Sequence, residues 1–539
     1  MTRTTRLLLV AVAVLSAALP AAGERYDIVI RSGQVLDGTG NPWLVADVAI
    51  AGGRVTAMGA LGAVEAATVI DGTGLVVAPG FIDVHTHTDR EIAEQPAVAN
   101  YLLQGVTTVV GGNCGGSRLP LAELFAKLEA TGIALNFASF VGHNTVRRQV
   151  MGNEDRPPSA EELEKMQALV RQEMAAGALG LSTGLAYLPG RFSTTEEIIA
   201  LARATRPYRA VYATHMRNQG EHIRSSVEEA VRIGREAGVV VQISHIKLAD
   251  ELVWGKPQLV FEPVEAARAA GLEVYLDQYP YTATSSGLLS SFPGWAVAGG
   301  QEALKERLKD PEQYTRIRAA IIENRFTSER GIFRPAMILI ATDRNHPEYQ
   351  GKSLEQILRL LGREPTVENA ADLFIQLQVE DDPQGVFFQM DEADVTTLMR
   401  HPLTMIASDG AVQVPGKGSP HPRSYGTFPR VLGRYVREQR VLELPDAVRR
   451  MTSLPAQAMG FLDRGVLRPG MAADVVVFDP AKITDTATFE QPHQYPAGVA
   501  WVIVNGRVAV RDGTIVDRTA GQVLYGPGAP RPRLMPTAQ

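Results

Sequence analysis

The chain has 539 residues but a single cysteine, Cys114, so no disulfide can form within it. It also lacks an uninterrupted apolar run of about 18 residues, the length that a membrane-spanning helix requires. Stretches rich in lysine and arginine are missing as well, and the formal net charge is only −6. These absences argue against nucleic acid or an anionic membrane surface as a partner.

The first residues have the pattern of a secretory signal peptide. Arg3 and Arg6 precede a short apolar run at residues 7–19, and the small residues at 20–23 suit cleavage. We therefore expect residues 1–23 to be removed and the mature chain to be exported, either to a periplasm or outside the cell. Stable membrane association after cleavage is not expected, and an uncleaved N-terminal anchor is the alternative.

From residue 80 onward, short runs of β-branched and small apolar residues alternate with helical stretches, as is typical of a parallel sheet. One of these helical stretches, residues 160–176, has a clear start signal, because Ser159 and Glu162 have the spacing of a capping box. Eight strands fit an α/β fold, a closed TIM-type (β/α)8 barrel whose chemistry lies at the carboxyl ends of the strands. The eight runs are residues 80–87, 105–111, 134–142, 177–183, 211–215, 239–245, 272–277 and 403–408.

Both chain ends show a different pattern. Apolar and polar residues alternate between Gly-rich turns at residues 26–70, 474–478 and 501–510, which predicts β-hairpins. We expect a small β-sandwich built from both ends of the chain, beside the barrel. The predicted domains are a signal peptide at 1–23, the sandwich at 24–79 and 465–539, and the barrel at 80–464.

The stretch between the seventh and eighth predicted strands is too long for one barrel helix. Residues of about 287–351 are predicted to form an inserted lid, with helices near 354–361 and 370–378 resuming the barrel wall. Long insertions after a barrel strand commonly shape the substrate mouth. Phe292 and Trp295 are expected either to contact an apolar substrate group or to seal the lid onto the barrel.

Residues with metal-ligand chemistry fall at the ends of the predicted strands. His85 and His87 are spaced i, i+2 in GFIDVHTHTD, so both imidazoles project to one side of an extended chain. One rim of the barrel would collect all of these side chains, which predicts a site for one or two divalent ions. Taken singly, each has an ordinary alternative, such as a hydrogen-bonded histidine or a buried apolar cysteine. The predicted ligands are His85, His87, Cys114, His215, His245 and Asp409.

Imidazole, thiolate and carboxylate together suit zinc better than calcium or magnesium. Zinc bound by three protein groups keeps a position for water and lowers the pKa of that water. Asp409 can then accept the water proton and deliver it to a leaving amine, as hydrolysis of a C–N bond requires. A zinc-binding or ligand-binding protein without turnover is the competing hypothesis.

Several segments resemble the amidohydrolase superfamily, among them GFIDVHTHTD at residues 80–89 and GVLRPGMAADVVVFDP at residues 465–480. Within it, five further segments resemble the N-acyl-D-amino-acid deacylases, also called D-aminoacylases. The resemblance runs through nearly all of the mature chain. The five segments are GVTTVVGGNCG at 105–115, VGHNTVRR at 141–148, LSTGLAYLPG at 181–190, ISHIK at 243–247 and SYGTFPRVLGRYVRE at 424–438.

The resemblance implies zinc-dependent hydrolysis of the amide bond of N-acyl-D-amino acids, with a carboxylate and a D-amino acid as products. It also implies a tight zinc site of Cys114, His215 and His245, with His85, His87 and Asp409 lining a second site that is weaker or empty. Residues 180–185 contain no lysine, where many relatives place a carboxylated lysine between two metals. The Cys114 thiolate is expected to take that place as a bridge or a ligand.

The same resemblance implies a set of contacts to the carboxylate and carbonyl of a small N-acyl amino acid. Residues 285–300 contain no cation, which favours a neutral or apolar side chain on the substrate amino acid. A cyclic-amide hydrolase or a dipeptidase on the same metal scaffold is the alternative function. The expected substrate contacts are Lys247, Tyr187, Tyr279, Ser285 and Arg423.

Overall fold

A computed structural model describes residues 25–323 and 333–530, so the predicted signal peptide lies outside the described residues. Each of the eight predicted runs overlaps a strand of a parallel barrel, and two of these strands extend one residue beyond the predicted run. The third run is interrupted at Phe140 and supplies two short strands. The barrel strands are Phe81–Asp83, Val106–Gly111, Asn136–Ser139 with Val141–Gly142, Gly180–Gly184, Val211–His215, Val240–Ile243, Val274–Gln278 and Thr404–Ile406.

The barrel closes between its first and eighth strands. Thr86 pairs with Gly410 in parallel. Beside this bridge, the buried Asp83 carboxylate accepts hydrogen bonds from the backbone N–H of His85 at 3.2 Å and of Ser408 at 3.1 Å. The two strand ends that carry His85 and Asp409 are therefore held together by backbone contacts and one shared carboxylate.

Helices follow the strands and cover the outside of the barrel. The predicted capping box is present, because the Ser159 hydroxyl accepts from the Glu162 N–H and the Glu162 carboxylate accepts from the Ser159 N–H. The helices are Ala99–Leu102, Leu121–Thr131, His143–Met151, Ala160–Ala176, Thr195–Arg203, Ile223–Ala237, Gln258–Ala269, Glu392–Arg400, Arg423–Arg430 with the π-helical Val431–Glu438, Leu444–Met451 and Ser453–Met459. Single 3-10 turns occur at Thr88–Arg90 and Gly190–Phe192.

The insertion after the seventh strand is larger than the predicted 287–351. An antiparallel sheet begins it and ends it, with the strand Gln384–Phe388 paired between the other two. The strands are Ala283–Gly287, Ile338–Thr342 and Gln384–Phe388, and the helical segments are Leu288–Ser291, Gly294–Val297, Gln301–Arg307, Pro311–Glu323, Pro335–Met337, Pro347–Tyr349, Leu354–Leu360 and Val367–Glu380.

The prediction that the helices near 354–361 and 370–378 resume the barrel wall is wrong. Leu358 and Phe374 from these helices are buried in an apolar core that belongs to the lid, and Glu392–Arg400 resumes the wall instead. Phe292 also lies in this core, 5.9 Å from Phe374 between ring centroids, so it is not available to a substrate. Periodicity shows that a helix has an apolar face, but not which neighbour covers that face.

Strands from both chain ends form one continuous sheet, which confirms a separate small β domain. Val76–Pro79 pairs antiparallel with Val475–Phe478 and so joins the two ends of the chain. Their inward side chains share one core, with Ile30, Ile50 and Val477 among its members. The nine strands are Arg25–Val35, Leu44–Ala51, Arg54–Gly59, Glu65–Asp71, Val76–Pro79, Val475–Phe478, Val499–Val504, Arg507–Arg511 and Thr514–Ile515.

A buried ion pair connects the helices that follow the third and fourth barrel strands. The Glu197 carboxylate lies 2.6 Å from Arg147 Nη1 and 2.9 Å from His143 Nε2, and all three side chains are buried. Burial alone would raise the pKa of Glu197, but the contacts with His143 and Arg147 hold it below its ordinary value. His143 therefore has a structural partner in Glu197.

Replacing Glu197 with glutamine is expected to lower the free energy of unfolding by about 3 kcal/mol at neutral pH, because Arg147 keeps a buried charge without its counterion. The lowered pKa means that the carboxylate stabilises the fold above its ordinary pKa and loses this effect as the pH falls through the folded-state value. The difference in the free energy of unfolding between the parent and Glu197→Gln should thus become smaller as the pH falls. Urea unfolding at several pH values measures this difference.

The matched control is Glu236→Gln, which removes an exposed i, i+4 pair with Arg232 and should cost at most about 0.5 kcal/mol. If the loss in the free energy of unfolding caused by Glu197→Gln is the same at neutral and acidic pH, the pKa of Glu197 is not lowered in the folded state.

Candidate metal centre and active-site cleft

The thiol of Cys114 lies at the centre of the predicted ligand set. Its Sγ atom is 3.3 Å from His85 Nε2, 3.5 Å from His245 Nε2 and 3.8 Å from His215 Nδ1. These residues come from the ends of the first, sixth and fifth strands, and Cys114 itself follows the second. The fold therefore brings a thiol and three imidazoles to one point on the rim of the barrel.

Asp409, after the eighth strand, completes the group. Its Oδ1 atom is 3.1 Å from His87 Nε2 and 3.4 Å from His85 Nε2, and Oδ2 is 2.8 Å from Arg423 Nη1. One ligand atom each from His85, Cys114, His245 and Asp409 all lie within 4.8 Å of one another. The structure thus brings all six predicted ligands together.

The ligand atoms do not divide cleanly into the two expected sets. Cys114 was assigned with His215 and His245, yet its Sγ atom is nearer to His85 than to His215. The thiol stands between both sets, where a thiolate can contact an ion on either side. A thiolate, a carboxylate and several imidazoles form a donor set that fits zinc.

Three of the ligands have a left-handed backbone. The φ angles are 53° at Cys114, 36° at His245 and 52° at Asp409. For residues other than glycine this conformation costs about 1–2 kcal/mol each. Such outliers persist where the surrounding structure imposes them, and they concentrate at functional sites.

Contacts to the fourth strand and to the helix after the third strand impose the conformation at Cys114. The backbone N–H of Gly115 donates to the Ser182 hydroxyl at 3.1 Å, and the Gly115 carbonyl accepts from the Thr145 N–H at 3.1 Å. Gly115 has a φ of 75°, and a Cβ atom there would lie 2.1 Å from Asn144 Oδ1. Only glycine fits this close approach, so the loop after the second strand is fixed on both sides.

Asp277, at the end of the seventh strand, orients two of the histidines. Its Oδ1 atom accepts from the His245 backbone N–H at 2.7 Å and lies 3.3 Å from His85 Nδ1. With a proton on Nδ1 directed at Asp277, His85 presents the Nε2 lone pair to the Cys114 side. Asp277 is not among the site residues predicted from the sequence, although it lies at a predicted strand end, which is the signal that identifies the ligands.

Cys114 and Asp409 are anionic in this environment. Burial alone would raise the pKa of the Cys114 thiol, but the positive charge of His85 and hydrogen bonds from His215 and His245 hold it well below its usual value. Burial would likewise raise the pKa of Asp409, which Arg423 and the histidines keep well below its ordinary value. Thiolate and carboxylate are the forms that bind a divalent cation.

The histidines differ in their protonation. Burial and the Lys247 ammonium lower the pKa of His245 to about 4, so its imidazole is neutral and has a lone pair to donate. Burial would lower the pKa of His85 as well, but Asp277 and Cys114 raise it well above its usual value. A cation that binds His85 must therefore displace a proton.

A cleft of about 470 Å3 opens beside His87, Cys114 and Asp409. Three of the five predicted substrate contacts, Tyr187, Ser285 and Arg423, line it. The Tyr187 ring lies 4.4 Å from the His215 ring, between centroids. Other lining residues include Arg90, Asn144, Arg148, Leu188, Thr342, Gln384, Gln413 and His421.

The other two predicted contacts, Lys247 and Tyr279, are not among the described residues that line the cleft. Lys247 is buried and its ammonium donates to the Gln219 side-chain carbonyl and to the His245 backbone carbonyl, the latter at 3.0 Å. Tyr279 is buried too, with the Arg423 guanidinium 4.8 Å above its ring centroid. A buried ammonium takes the nearest acceptors, so Lys247 supports His245 in this structure.

Residues 68–510 match the Amidohydrolase family. The chain belongs to this family. A D-aminoacylase of Alcaligenes xylosoxydans xylosoxydans is 37% identical over 525 residues, which cover 93% of this chain and 98% of the relative. An N-acyl-D-glutamate deacylase of the same organism is 37% identical over 506 residues, with 90% and 93% covered.

Among solved structures, the amidohydrolase resembles an N-acyl-D-glutamate deacylase from Bordetella bronchiseptica, which was crystallised with zinc and a phosphonate mimic of the tetrahedral intermediate. The identity is 36%, the TM-score is 0.80, and the match covers 93% of this chain and all of the other. The predicted barrel with a separate small β domain is thereby confirmed. Within the described ranges, no helix has the length and apolar character needed to cross a membrane.

Proposed function

We propose that this amidohydrolase uses zinc to hydrolyse the amide bond of N-acyl-D-amino acids and releases a carboxylate and a D-amino acid. The observation that carries the proposal is the convergence of the Cys114 thiolate, two imidazoles and Asp409 within 4.8 Å at the edge of the cleft. The similarity to D-aminoacylase along almost the whole chain supports the same substrate class.

We assign zinc to the ligands around Cys114, with one ion bound tightly and a second bound weakly or absent. His85, His215, His245 and Asp409 are near enough to Cys114 to share such an ion, and His87 is placed to assist through Asp409. When bound, zinc polarises the amide carbonyl and lowers the pKa of the attacking water.

Asp409 is the proposed proton carrier. Arg423 fixes one carboxylate oxygen at 2.8 Å, which leaves the other oxygen facing the ligand set. The carboxylate accepts a proton from the water as its oxygen attacks the carbonyl carbon. It then gives that proton to the amide nitrogen as the C–N bond breaks, because an amine leaves poorly unless it is protonated.

The proposed substrate contacts are those that line the cleft. Arg423, Ser285 and Tyr187 offer a guanidinium and two hydroxyls to the carboxylate and carbonyl of the substrate. Lys247 and Tyr279 act through the residues they contact, His245 and Arg423 respectively. Holding the carboxylate decides which face of the amide meets the nucleophile, which is the basis for stereoselectivity.

Purified enzyme supplied with zinc should hydrolyse N-acetyl-D-amino acids and process their L forms far more slowly. Hydantoins and dipeptides belong in the same panel, because preferential turnover of either would favour the alternative amidohydrolase functions. Zinc bound without turnover of any of these compounds would favour a binding protein.

We also propose that the enzyme is exported, with residues 1–23 acting as a cleaved signal peptide. Basic residues, a short apolar run and small residues in that order support this location. After expression in a host with two membranes, N-terminal sequencing of the periplasmic protein should begin near Glu24. Full-length protein retained in the membrane fraction would indicate an uncleaved anchor.

A further inference from the structure

Two arginines line the catalytic cleft without a carboxylate partner among the described residues. Arg148 donates from Nη2 to the Leu188 carbonyl at 2.8 Å, and neither it nor Arg90 forms an ion pair within the described ranges. Both are solvent exposed. Neighbouring arginines differ, since Arg147 is paired with Glu197 and Arg423 with Asp409.

The charge of the cleft is therefore unbalanced. Its described lining carries three guanidiniums, from Arg90, Arg148 and Arg423, and two anions, the Asp409 carboxylate and the Cys114 thiolate. Arg423 offsets Asp409, and the thiolate lies among the metal-ligating imidazoles, so Arg90 and Arg148 have no anion at ion-pair distance among the described residues. A guanidinium stays protonated at any ordinary pH. An N-acyl amino acid with a neutral side chain brings only one carboxylate into this cleft.

Arg90 and Arg148 lie on two segments that are joined by hydrogen bonds from Ser117 and Arg118, in the loop that contains Cys114. Arg90 ends the turn Thr88–Arg90 after the first strand, and Arg148 is in the helix His143–Met151 after the third. Between them, Arg118 Nε donates to the Asp89 carbonyl at 3.2 Å, and the Ser117 N–H donates to the Thr145 hydroxyl at 3.1 Å. The two arginines thus belong to one continuous rim beside the metal ligands.

We propose that this rim binds a second carboxylate on the substrate, with Arg148 as the main contact, so that the enzyme prefers dianionic N-acyl-D-amino acids. The inference rests on the proposed function and names the substrate class within it. It replaces the expectation of a neutral side chain, which considered residues 285–300 alone. Arg148 already holds the Leu188 carbonyl with one N–H, and its remaining N–H groups can form a paired contact with a carboxylate.

The second carboxylate can come from an acidic amino-acid side chain or from a dicarboxylic acyl group. Two substrate pairs separate these sources, each differing only in carboxylate against amide. The first is N-acetyl-D-glutamate against N-acetyl-D-glutamine, and the second is N-succinyl-D-valine against N-succinamyl-D-valine. In at least one of the two pairs, kcat/KM of the zinc-loaded, full-length enzyme should be at least about tenfold higher for the dianion than for its amide partner. One charge-assisted contact provides a factor of about this size.

Arg148→Gln should reduce that dianion-to-neutral ratio to near one, whereas Arg148→Lys should keep part of it. Arg90→Gln should lower the ratio by a smaller factor. Arg156→Gln is the matched control, because Arg156 pairs with Glu162 and does not line the cleft, and it should leave the ratio unchanged. Zinc content is measured for every variant.

Turnover of the D substrates with no preference for the dianion in either pair would overturn the inference and leave the proposed function intact. An equal loss on neutral and dianionic substrates in Arg148→Gln would also overturn it, since Arg148 would then hold the α-carboxylate or attract anions in general. Absence of turnover on all four D substrates would instead refute the proposed function and this inference with it.

Discussion

Replacing Asp409 with asparagine is expected to lower kcat by about 1,000-fold while the enzyme keeps its tightly bound zinc. An amide cannot accept the proton of the attacking water or return it to the leaving nitrogen, so both proton transfers lose their carrier. The remaining ligands, Cys114, His215 and His245, still surround the tight site. Steady-state kinetics and zinc per chain, measured on the same preparation, test both parts.

The matched control is Asp394→Asn, because Asp394 is a buried carboxylate that accepts from the Gly255 N–H and does not line the cleft. It should leave kcat and zinc content unchanged. If Asp409→Asn loses zinc in proportion to its loss of activity, Asp409 serves mainly as a ligand, and another group must carry the proton.

Replacing Cys114 with serine should remove the tight zinc and nearly all activity. A serine hydroxyl is neutral at ordinary pH, whereas the Cys114 pKa is lowered so that the thiol offers an anion to the metal. The loss of zinc affinity should exceed the about 100-fold that follows from removing a hydrogen-bond partner of a ligand. Zinc retained after dialysis and activity with excess zinc are the measurements.

Cys114→Asp supplies an anionic oxygen at the same position and should recover part of the zinc binding. His401→Gln serves as the control, because His401 is a buried histidine that stacks on Phe261 just before the eighth strand, at the other end of the barrel. Full zinc content and activity in Cys114→Ser would mean that the thiolate is not a ligand and that the metal centre is wrongly assigned.

The sequence was sufficient for the strands and helix starts because those signals are local. Short β-branched runs separated by capped helices identify all eight barrel strands, and Ser159 with Glu162 forms the capping box that its spacing predicts. Ligand residue types at strand ends were enough to nominate a metal site, since parallel strands in a barrel deliver their carboxyl ends to one rim.

Local sequence signals were insufficient where the position of a residue depends on contacts with segments distant in the chain. The apolar faces of Leu354–Leu360 and Val367–Glu380 are covered by the lid core, and nothing in their periodicity distinguishes that core from the barrel wall. The resemblance implies Lys247 as a substrate contact, but it does not indicate that the buried ammonium donates to Gln219 and to the His245 carbonyl, which lie on another segment and on its own strand end respectively.

The sequence by itself determined the barrel, the two-ended β domain and the identity of the six candidate ligands, because hydrophobic period, caps and residue chemistry act over a few positions. Only the tertiary structure decided how Cys114 stands between His85 and His245, and which arginines of the cleft remain unpaired. Such contacts join groups as far apart in the chain as His87 and Asp409, 322 residues. Their distances depend on how the whole barrel closes, which no local pattern specifies.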